Sequence, residues 1–469
     1  MFDQHFPDAT HEQIDEALES ASSCFIEFSK KKGSERSNFL NSIALRLESK
    51  KSEVIEIANT ETKLGPQRLG SECKRTILQI KEFANLAETE NWREQITERH
   101  DSERLPLPKP RMTKKNIPLG PVVVIGACNF PLAISVVGTD TSSALAVGCP
   151  VVVKSHPGHP KTCQILADIV NFAKKETGMP SACFSLHHGN SHEVTSRMVS
   201  HPKTSAVAFT GSLNGGRELA KLACTRKHPI PFYAEMGSTN PVFALPGALA
   251  QKGKHFANAY IDAVNLFAGQ MCTKPGLFIL LEQSCNQEFI KNIQYSTASQ
   301  LNLPMLNDDV FEQFQGCSKL LRDKLTLVAE SKNNQFTNEQ TGQVQIFRIS
   351  GKKFINEPEL QTEAFGPSSI IVVAETKKEM IEIANNMEGS LTGSMLIGED
   401  DDAFHQQLYP ILESKVGRLL WNSFPPGVSP GIATHHGGPW PAATDSRFTS
   451  IGIQGYKRFV RSICRQGFA

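Results

Sequence analysis

"CPVVVKSHPGHPKTCQILADIVNFAKKETG", residues 149–178, decides the fold. Val151, Val152 and Val153 are β-branched and suit a buried strand. A turn bearing Pro157 and Gly158 follows, and the segment from His159 reads as a crossover helix ended by Gly178. Strand, turn and helix in succession make a βα unit. The same texture extends on both sides from Pro121 onward. The runs "VVVIGA", "SAVAFTGS" and "PVFALP" recur at intervals of roughly 30 to 60 residues, as βα units on a parallel sheet require. After residue 270 a second set follows: "GLFILLE", "TLVAE", "QIFRI", "SSIIVVAE", "GSMLIGE" and "GRLLWN". This predicts a second α/β domain.

The flanks differ. Residues 8–98 read as helical, with Asp8 and Thr10 as capping candidates for the first helix. "SERLPLPKPRMTKKNIPLGP" breaks that pattern with prolines and reads as an extended connector. The last 30 residues are rich in Gly, Pro and His and lead to a basic tail, "YKRFVRSICR". No internal repeat or low-complexity segment occurs.

Composition bounds the function. Lys plus Arg is 49 and Asp plus Glu is 48, a balance that gives no support for nucleic-acid or membrane binding. No run of about 18 apolar residues predicts a membrane helix. The acidic N-terminus reads as neither a signal nor a transit peptide. The 11 cysteines are scattered, with no C-x-x-C pair, which predicts free thiols in a reducing cytoplasm.

Five short stretches carry candidate chemistry, each open to a plainer reading. In "GQMCTKPG", Cys272 is either a buried structural thiol or a nucleophile. "FTGSLNGGRELAKLA" follows a strand and opens a helix, so Gly211, Gly215 and Gly216 with the cap Ser212 suit a phosphate, or form an ordinary turn. It is not the G-x-G-x-x-G fingerprint. Lys154 ends a strand, where ligands of open α/β sheets sit, but a solvated lysine reads as well. Asn129 in "ACNFPL" suits an oxyanion donor or an Asx-turn. Glu235 in "YAEMGSTNP" suits a water-activating base or a surface carboxylate. The pairs His187/His188 and His435/His436, and His156 with His159, complete no metal set with nearby Cys or Asp, and no metal is expected.

Together and in this order, "GPVVVIGACNFPL", "GCPVVVKSHPGHP", "AFTGSLNGGRELA", "YAEMGSTNP", "GQMCTKPG" and "EAFGPSSIIVV" resemble the aldehyde dehydrogenase superfamily, from about residue 8 to the end. "KSHPGHP", "EMGSTNP" and "HHGGPWPAATDSRFTSIG" look like its branch of NADP-linked fatty aldehyde dehydrogenase and 2,5-dioxopentanoate (α-ketoglutarate semialdehyde) dehydrogenase.

The resemblance implies two Rossmann-like parallel-sheet domains and a small oligomerisation element. Residues 1–240 would bind cofactor, with the N-terminal helices and the 105–120 connector contributing to oligomerisation. Residues 241–430 would be catalytic, and 431–469 would return to the cofactor and oligomerisation region of a homodimer. The implied reaction is NAD(P)-dependent oxidation of an aldehyde to an acid through a cysteine thiohemiacetal and thioester.

The implied roles fall on particular residues. Cys272 is the nucleophile, Glu235 the base and Asn129 half of the oxyanion hole. Lys154, Ser155, His156, Gly211 and Ser212 belong to the cofactor site. Glu363 and Phe365 hold the nicotinamide end. Pro157 stands where NAD-preferring relatives carry a glutamate, and His192 where the fatty aldehyde relative grips the 2′-phosphate. NADP is therefore expected, with NAD possible.

There are departures from the family pattern. Ser238 replaces a glycine after the base, and "NSFPPG" replaces an Asn-Gly-Trp run near the substrate entrance. The chain begins late, so an N-terminal arm is expected to be missing. Three alternatives remain at this point. A long-chain fatty aldehyde is one. A CoA-acylating acyl transfer is another, and Glu235 argues against it. A non-enzymatic member would have lost the nucleophile or base, and both are present.

Overall fold

The structure, a computed structural model, describes residues 6–467 apart from 283, 337, 338 and 426. Four helices come first: α1 (His11–Phe28), α2 (Gly33–Ser49), α3 (Lys51–Thr62) and α4 (Pro66–Thr89). Thr10 caps α1 by accepting from the Gln13 N–H, and the Gln13 side chain closes the capping box. Asp8 caps nothing there. It accepts instead from the N–H groups of Asn190 and Ser191, at 2.7 and 3.1 Å.

The helical expectation to residue 98 overruns. Past α4, Ile96–Glu98 forms strand β1, which pairs antiparallel with β2 (Met112–Pro118) in the register Ile96 to Lys114. Tertiary pairing overrides the local pattern there.

The strands β3 (Val122–Ile125), β4 (Val151–Lys154), β5 (Phe184–His187), β6 (Ala206–Thr210) and β7 (Phe232–Glu235) form a parallel sheet in the order β5-β4-β3-β6-β7. Helices α5 (Thr139–Val147), α6 (Pro160–Glu176), α7 (His192–Ser200) and α8 (Leu213–Thr225) connect them. Successive side chains alternate between two cores. Val122, Val124, Val151 and Val153 join a cluster with α2, α4, α5 and α6. Val123, Ile125, Val152 and Val207 join another with α1 and α7. Burial on both faces is why these strands read as unbroken valine runs.

Next come β8 (Val242–Ala244), α9 (Pro246–Asn265), β9 (Leu277–Leu281), β10 (Leu303–Pro304), β11 (Thr326–Glu330), β12 (Thr341–Gly342), β13 (Gln345–Ser350), β14 (Ser368–Ala374), β15 (Ser390–Leu396) and β16 (Val416–Trp421). Seven of these make a second sheet, β11-β13-β14-β9-β8-β15-β16, in which only the β11–β13 pair is antiparallel. It too is covered on both faces, with Leu277 and Ile279 in one core and Phe278 and Leu280 in the other.

The final strand, β17 (Val460–Gln466), pairs antiparallel with β2 and completes a three-stranded sheet β1-β2-β17. Before it, the chain runs antiparallel along β7. Met236 N–H donates to Ala442 O at 2.8 Å, and Thr444 N–H to Ala234 O at 3.1 Å. That return brings the His-rich segment beside Glu235. Among the described residues no helix is long and apolar enough to cross a membrane.

Candidate active site

The first sheet changes winding direction between β3 and β6, and ligands of open α/β sheets bind at the strand C-termini beside such a point. Asn129 follows β3, Lys154 ends β4, Ser212 follows β6 and Glu235 ends β7. The sequence candidates on this sheet therefore share one edge.

Cys272 arrives from the other sheet, on the turn before β9. Phe267, Ala268 and Gly269 precede it with φ of 53°, 56° and 65°, a left-handed run unfavourable for the first two. Gly269 has no alternative, because a Cβ there would lie 2.3 Å from the Gly366 carbonyl carbon and oxygen. Asn240, itself at φ 48°, clamps the far side of the turn. Its Nδ2 donates to Cys272 O at 2.8 Å and to Lys274 O at 2.9 Å. Strain in the turn is thus held by surrounding bonds, which fixes where the sulfur points. Asn129 Nδ2 donates to Gln270 O at 3.1 Å, so its amide lies beside the same turn.

Three side chains converge at the centre. His436 Nδ1 lies 2.7 Å from Glu235 Oε2, and His436 Nε2 lies 3.5 Å from Cys272 Sγ. Ser450 Oγ donates to Glu235 Oε2, and its backbone N–H donates to His436 O at 2.8 Å. Thr449 Oγ1 accepts from His436 N–H at 2.8 Å. The carboxylate requires a proton on Nδ1, which leaves Nε2 as an acceptor facing the thiol.

Burial pushes the Cys272 thiol well above its ordinary range, and the Glu235 charge adds to that. Burial would raise Glu235 also, but the electrostatic pull of the His436 ring and the hydrogen bonds from His436, Ser450 and Cys272 outweigh it and hold the carboxyl low. The resting pair is therefore a protonated thiol and an ionised carboxylate, with an imidazole between them.

His436 is the residue that sequence reading missed. No cysteine or carboxylate near it in the chain marks it, yet in the fold it meets Cys272, 164 residues away. One ligating atom each of Glu235, Cys272 and His436 lies within 4.8 Å of the others, a composition that also occurs at metal sites. Here Glu235 and His436 bond each other directly instead of facing a common centre, as hydrogen-bonded catalytic groups do.

The cofactor candidates line the same edge. Lys154 is buried, has no ion pair among the described residues, and is pushed down to about 8 by burial. A buried amine without a direct ion pair fits a hydroxyl-bearing, anionic dinucleotide. Ser155 lies buried beside it, and burial holds the neighbouring His156 well below the usual histidine range. Ser212 caps α8 through Gly215 N–H, leaving other first-turn N–H groups of that helix for a phosphate.

Glu363 is pushed up to about 7 by burial, against the pull of Lys274. A Cβ on Gly237 would lie 2.9 Å from Glu363 Oε2, so glycine there makes room for the carboxyl. Phe365 is half-buried against the Met305 and Phe314 cluster. The departure at Ser238 is absorbed locally, since its Oγ donates to Asn240 Oδ1 at 2.8 Å and accepts from Leu391 N–H at 2.9 Å. Pro157 and His192 are both exposed, and His192 is the first residue of α7. The "NSFPPG" stretch lies partly outside the described residues.

A half-buried thiol with an imidazole and a carboxylate, at the edge of a doubly wound sheet, defines a cysteine-dependent oxidoreductase or acyl-transfer site. The aldehyde dehydrogenase family model matches residues 4–439, and the chain belongs to that family. It is thus an aldehyde-oxidising enzyme using NAD(P). It is 35% identical over 464 residues to an alpha-ketoglutaric semialdehyde dehydrogenase of Acinetobacter baylyi, covering 98% of this chain and 88% of that protein. It is 36% identical over 461 residues to alpha-ketoglutaric semialdehyde dehydrogenase 2 of Azospirillum brasilense, with the same coverage. Betaine aldehyde dehydrogenase of Staphylococcus aureus, solved with NAD+, shares the fold at a TM-score of 0.82 and 19% identity, covering 98% of this chain and 88% of that one.

Proposed function

We propose that this enzyme oxidises a short, carboxylate-bearing semialdehyde, α-ketoglutaric semialdehyde (2,5-dioxopentanoate), to the dicarboxylic acid. The reading is carried by the Cys272–His436–Glu235 convergence in a chain 35% identical to a relative of that name. His436 Nε2 takes the thiol proton. The Cys272 thiolate adds to the aldehyde carbon, and the oxyanion is held by Asn129 Nδ2 and the Cys272 N–H. Lys154, Ser155, His156, Gly211 and Ser212 hold the dinucleotide, with Glu363 and Phe365 at its nicotinamide end. That cofactor, when bound, accepts the hydride, leaving a thioester on Cys272. Glu235 then deprotonates a water that attacks the thioester, releasing the acid and the thiolate.

The 1–240 segment serves the cofactor, 241–430 carries the nucleophile, and 431–469 returns His436 and Ser450 to the site. Exposed Ile96, Leu105 and Leu107 on and beside the β1–β2 connector support a homodimer built on that sheet. Free, scattered thiols support a cytoplasmic setting. A panel of aldehydes with and without coenzyme A, scored by kcat/KM, tests the substrate. Preference for long-chain aldehydes would overturn it, and a requirement for coenzyme A would replace hydrolysis by acyl transfer.

NADP is the preferred cofactor in this reading, by about tenfold or less. Pro157 removes the like-charge repulsion that a glutamate would exert on a 2′-phosphate. His192 grips that phosphate less firmly than an arginine would. Asp8, bonded to Asn190 and Ser191 just before His192 and held ionised by those bonds, opposes it. Measuring kcat/KM for both cofactors on wild type and His192→Ala checks this. The NADP preference is expected to fade in the variant. A clear NAD preference in wild type would overturn it.

A further inference from the structure

The α4 helix presents Arg68, Glu72 and Arg75, spaced four and three residues apart, on one face beside the site. Glu72 is buried and accepts from Leu132 and Ala133 N–H at 2.8 and 2.9 Å, and Arg68 Nη1 lies 3.6 Å from its other oxygen. Arg68 is further fixed by donating to Asn129 O and by lying over the Phe130 and Phe267 rings, at 4.7 and 4.5 Å. It is thus ion-paired to Glu72 and bonded to the Asn129 segment, although its buried Nη1 makes no hydrogen bond.

Arg75 is neither. Its guanidinium lies 5.7 Å from the centre of the Phe130 ring, and among the described residues no hydrogen bond or ion pair engages it. Its Nε is buried without a partner. It is close enough to Cys272 and Glu235 for its charge to act on both. That Phe130 ring belongs to an apolar cluster with Met271, the residue before the nucleophile, and with Val428 and Ile451. Glu72 is taken up by Arg68 and by the Leu132 and Ala133 N–H groups, so among the described residues no carboxylate is hydrogen-bonded or ion-paired to Arg75. A ring at that distance offsets only part of the desolvation of a guanidinium, and an uncompensated buried charge is strongly unfavourable. The missing partner is an anion delivered by a ligand.

We propose that Arg75 binds the distal carboxylate of the substrate, so that a short aldehyde carrying a carboxylate at its far end is held with its carbonyl against Cys272. This rests on the semialdehyde reading above and adds the residue that selects it. A planar fork matches a carboxylate in two parallel bonds, which a lysine cannot reproduce. Arg68, locked on Asn129, is left as a positioning residue for the oxyanion side.

The test compares α-ketoglutaric semialdehyde with pentanal on the full-length wild type, Arg75→Gln and Arg75→Lys. The ratio of kcat/KM for the two aldehydes is expected to fall about 100-fold in Arg75→Gln, mostly through KM, and by less in Arg75→Lys. An unchanged ratio would overturn the proposal even if both rates fall. Calorimetric titration of the corresponding dicarboxylate, 2-oxoglutarate, into the NADP-loaded proteins gives a readout free of turnover. Binding to wild type that is lost in Arg75→Gln supports the assignment, and its absence in wild type defeats it. The two readings fail separately. If wild type prefers another carboxylate-bearing aldehyde, such as succinic semialdehyde, the named substrate falls while an Arg75-dependent ratio survives. If wild type oxidises the semialdehyde but the ratio ignores Arg75, only the arginine assignment falls.

Discussion

Cys272→Ala is expected to abolish aldehyde oxidation, lowering kcat by on the order of 10⁴-fold or more, while NADP still binds with its wild-type affinity. The sulfur is the atom that becomes bonded to the substrate carbon, and no other thiol can replace it. Cys128, the neighbour of Asn129, is raised to about 11 by burial, and no base is bonded to it among the described residues. Cys163 lies 3.3 Å from His159 Nδ1, but both are fully buried. The turn holding Cys272 is fixed by Asn240 bonds to backbone oxygens and by the Gly269–Gly366 approach, none of which involves the sulfur. The variant therefore keeps its fold and its cofactor edge. Steady-state NADPH formation and a fluorescence titration with NADP check the two halves. Turnover near wild type would remove Cys272 as the nucleophile, and lost NADP binding would show that the turn shapes the cofactor site as well.

The parts of the site legible in the sequence are those whose signal is local. Glu235 and Cys272 sit in short motifs at strand ends, and Lys154 closes a valine strand, so backbone pattern and chemistry coincide within a few residues. The two sheets were legible for a related reason: strands buried on both faces must be continuous apolar runs. β5 and β7 escaped because "FSLH" and "FYAE" mix polar residues into short strands at the ends of the sheet. β1 escaped because its structure comes from pairing with β2.

His436 and Ser450 were illegible for a deeper reason. They lie in an irregular segment without periodicity, placed by the antiparallel run of residues 442–444 along β7. Arg68, Glu72 and Arg75 read as ordinary helix charges, since spacing alone does not tell a solvated face from one turned towards a site. Asn240 was inside a quoted motif, but its work is clamping a turn that comes 32 residues later.

The imidazole changes what the base substitution should do. Glu235→Gln is expected to slow steady-state turnover by about 10²- to 10⁴-fold, yet leave a burst of NADPH equal to the enzyme concentration. Glutamine keeps an oxygen that can accept from His436 Nδ1–H, so Nε2 still faces the thiol and the thioester still forms. What is lost is the charge needed to take a proton from water, and hydrolysis becomes limiting. Glu235→Leu removes the acceptor as well and is expected to lose burst and turnover together.

His436→Asn separates the steps from the other side. Burial and the Glu235 charge raise the Cys272 thiol well above its ordinary range, so without an imidazole little thiolate exists near pH 7. A raised thiol ionises only as pH climbs. The burst rate of His436→Asn is therefore expected to be low at neutral pH and to increase steeply on the alkaline side, where wild type is already level. Rapid-mixing measurements of the burst across pH, on wild type, Glu235→Gln and His436→Asn, read this directly. If His436→Asn lowers the burst by the same factor at every pH, the imidazole only shapes the pocket. If Glu235→Gln loses its burst, the carboxylate is needed to form the thioester and not only to cleave it.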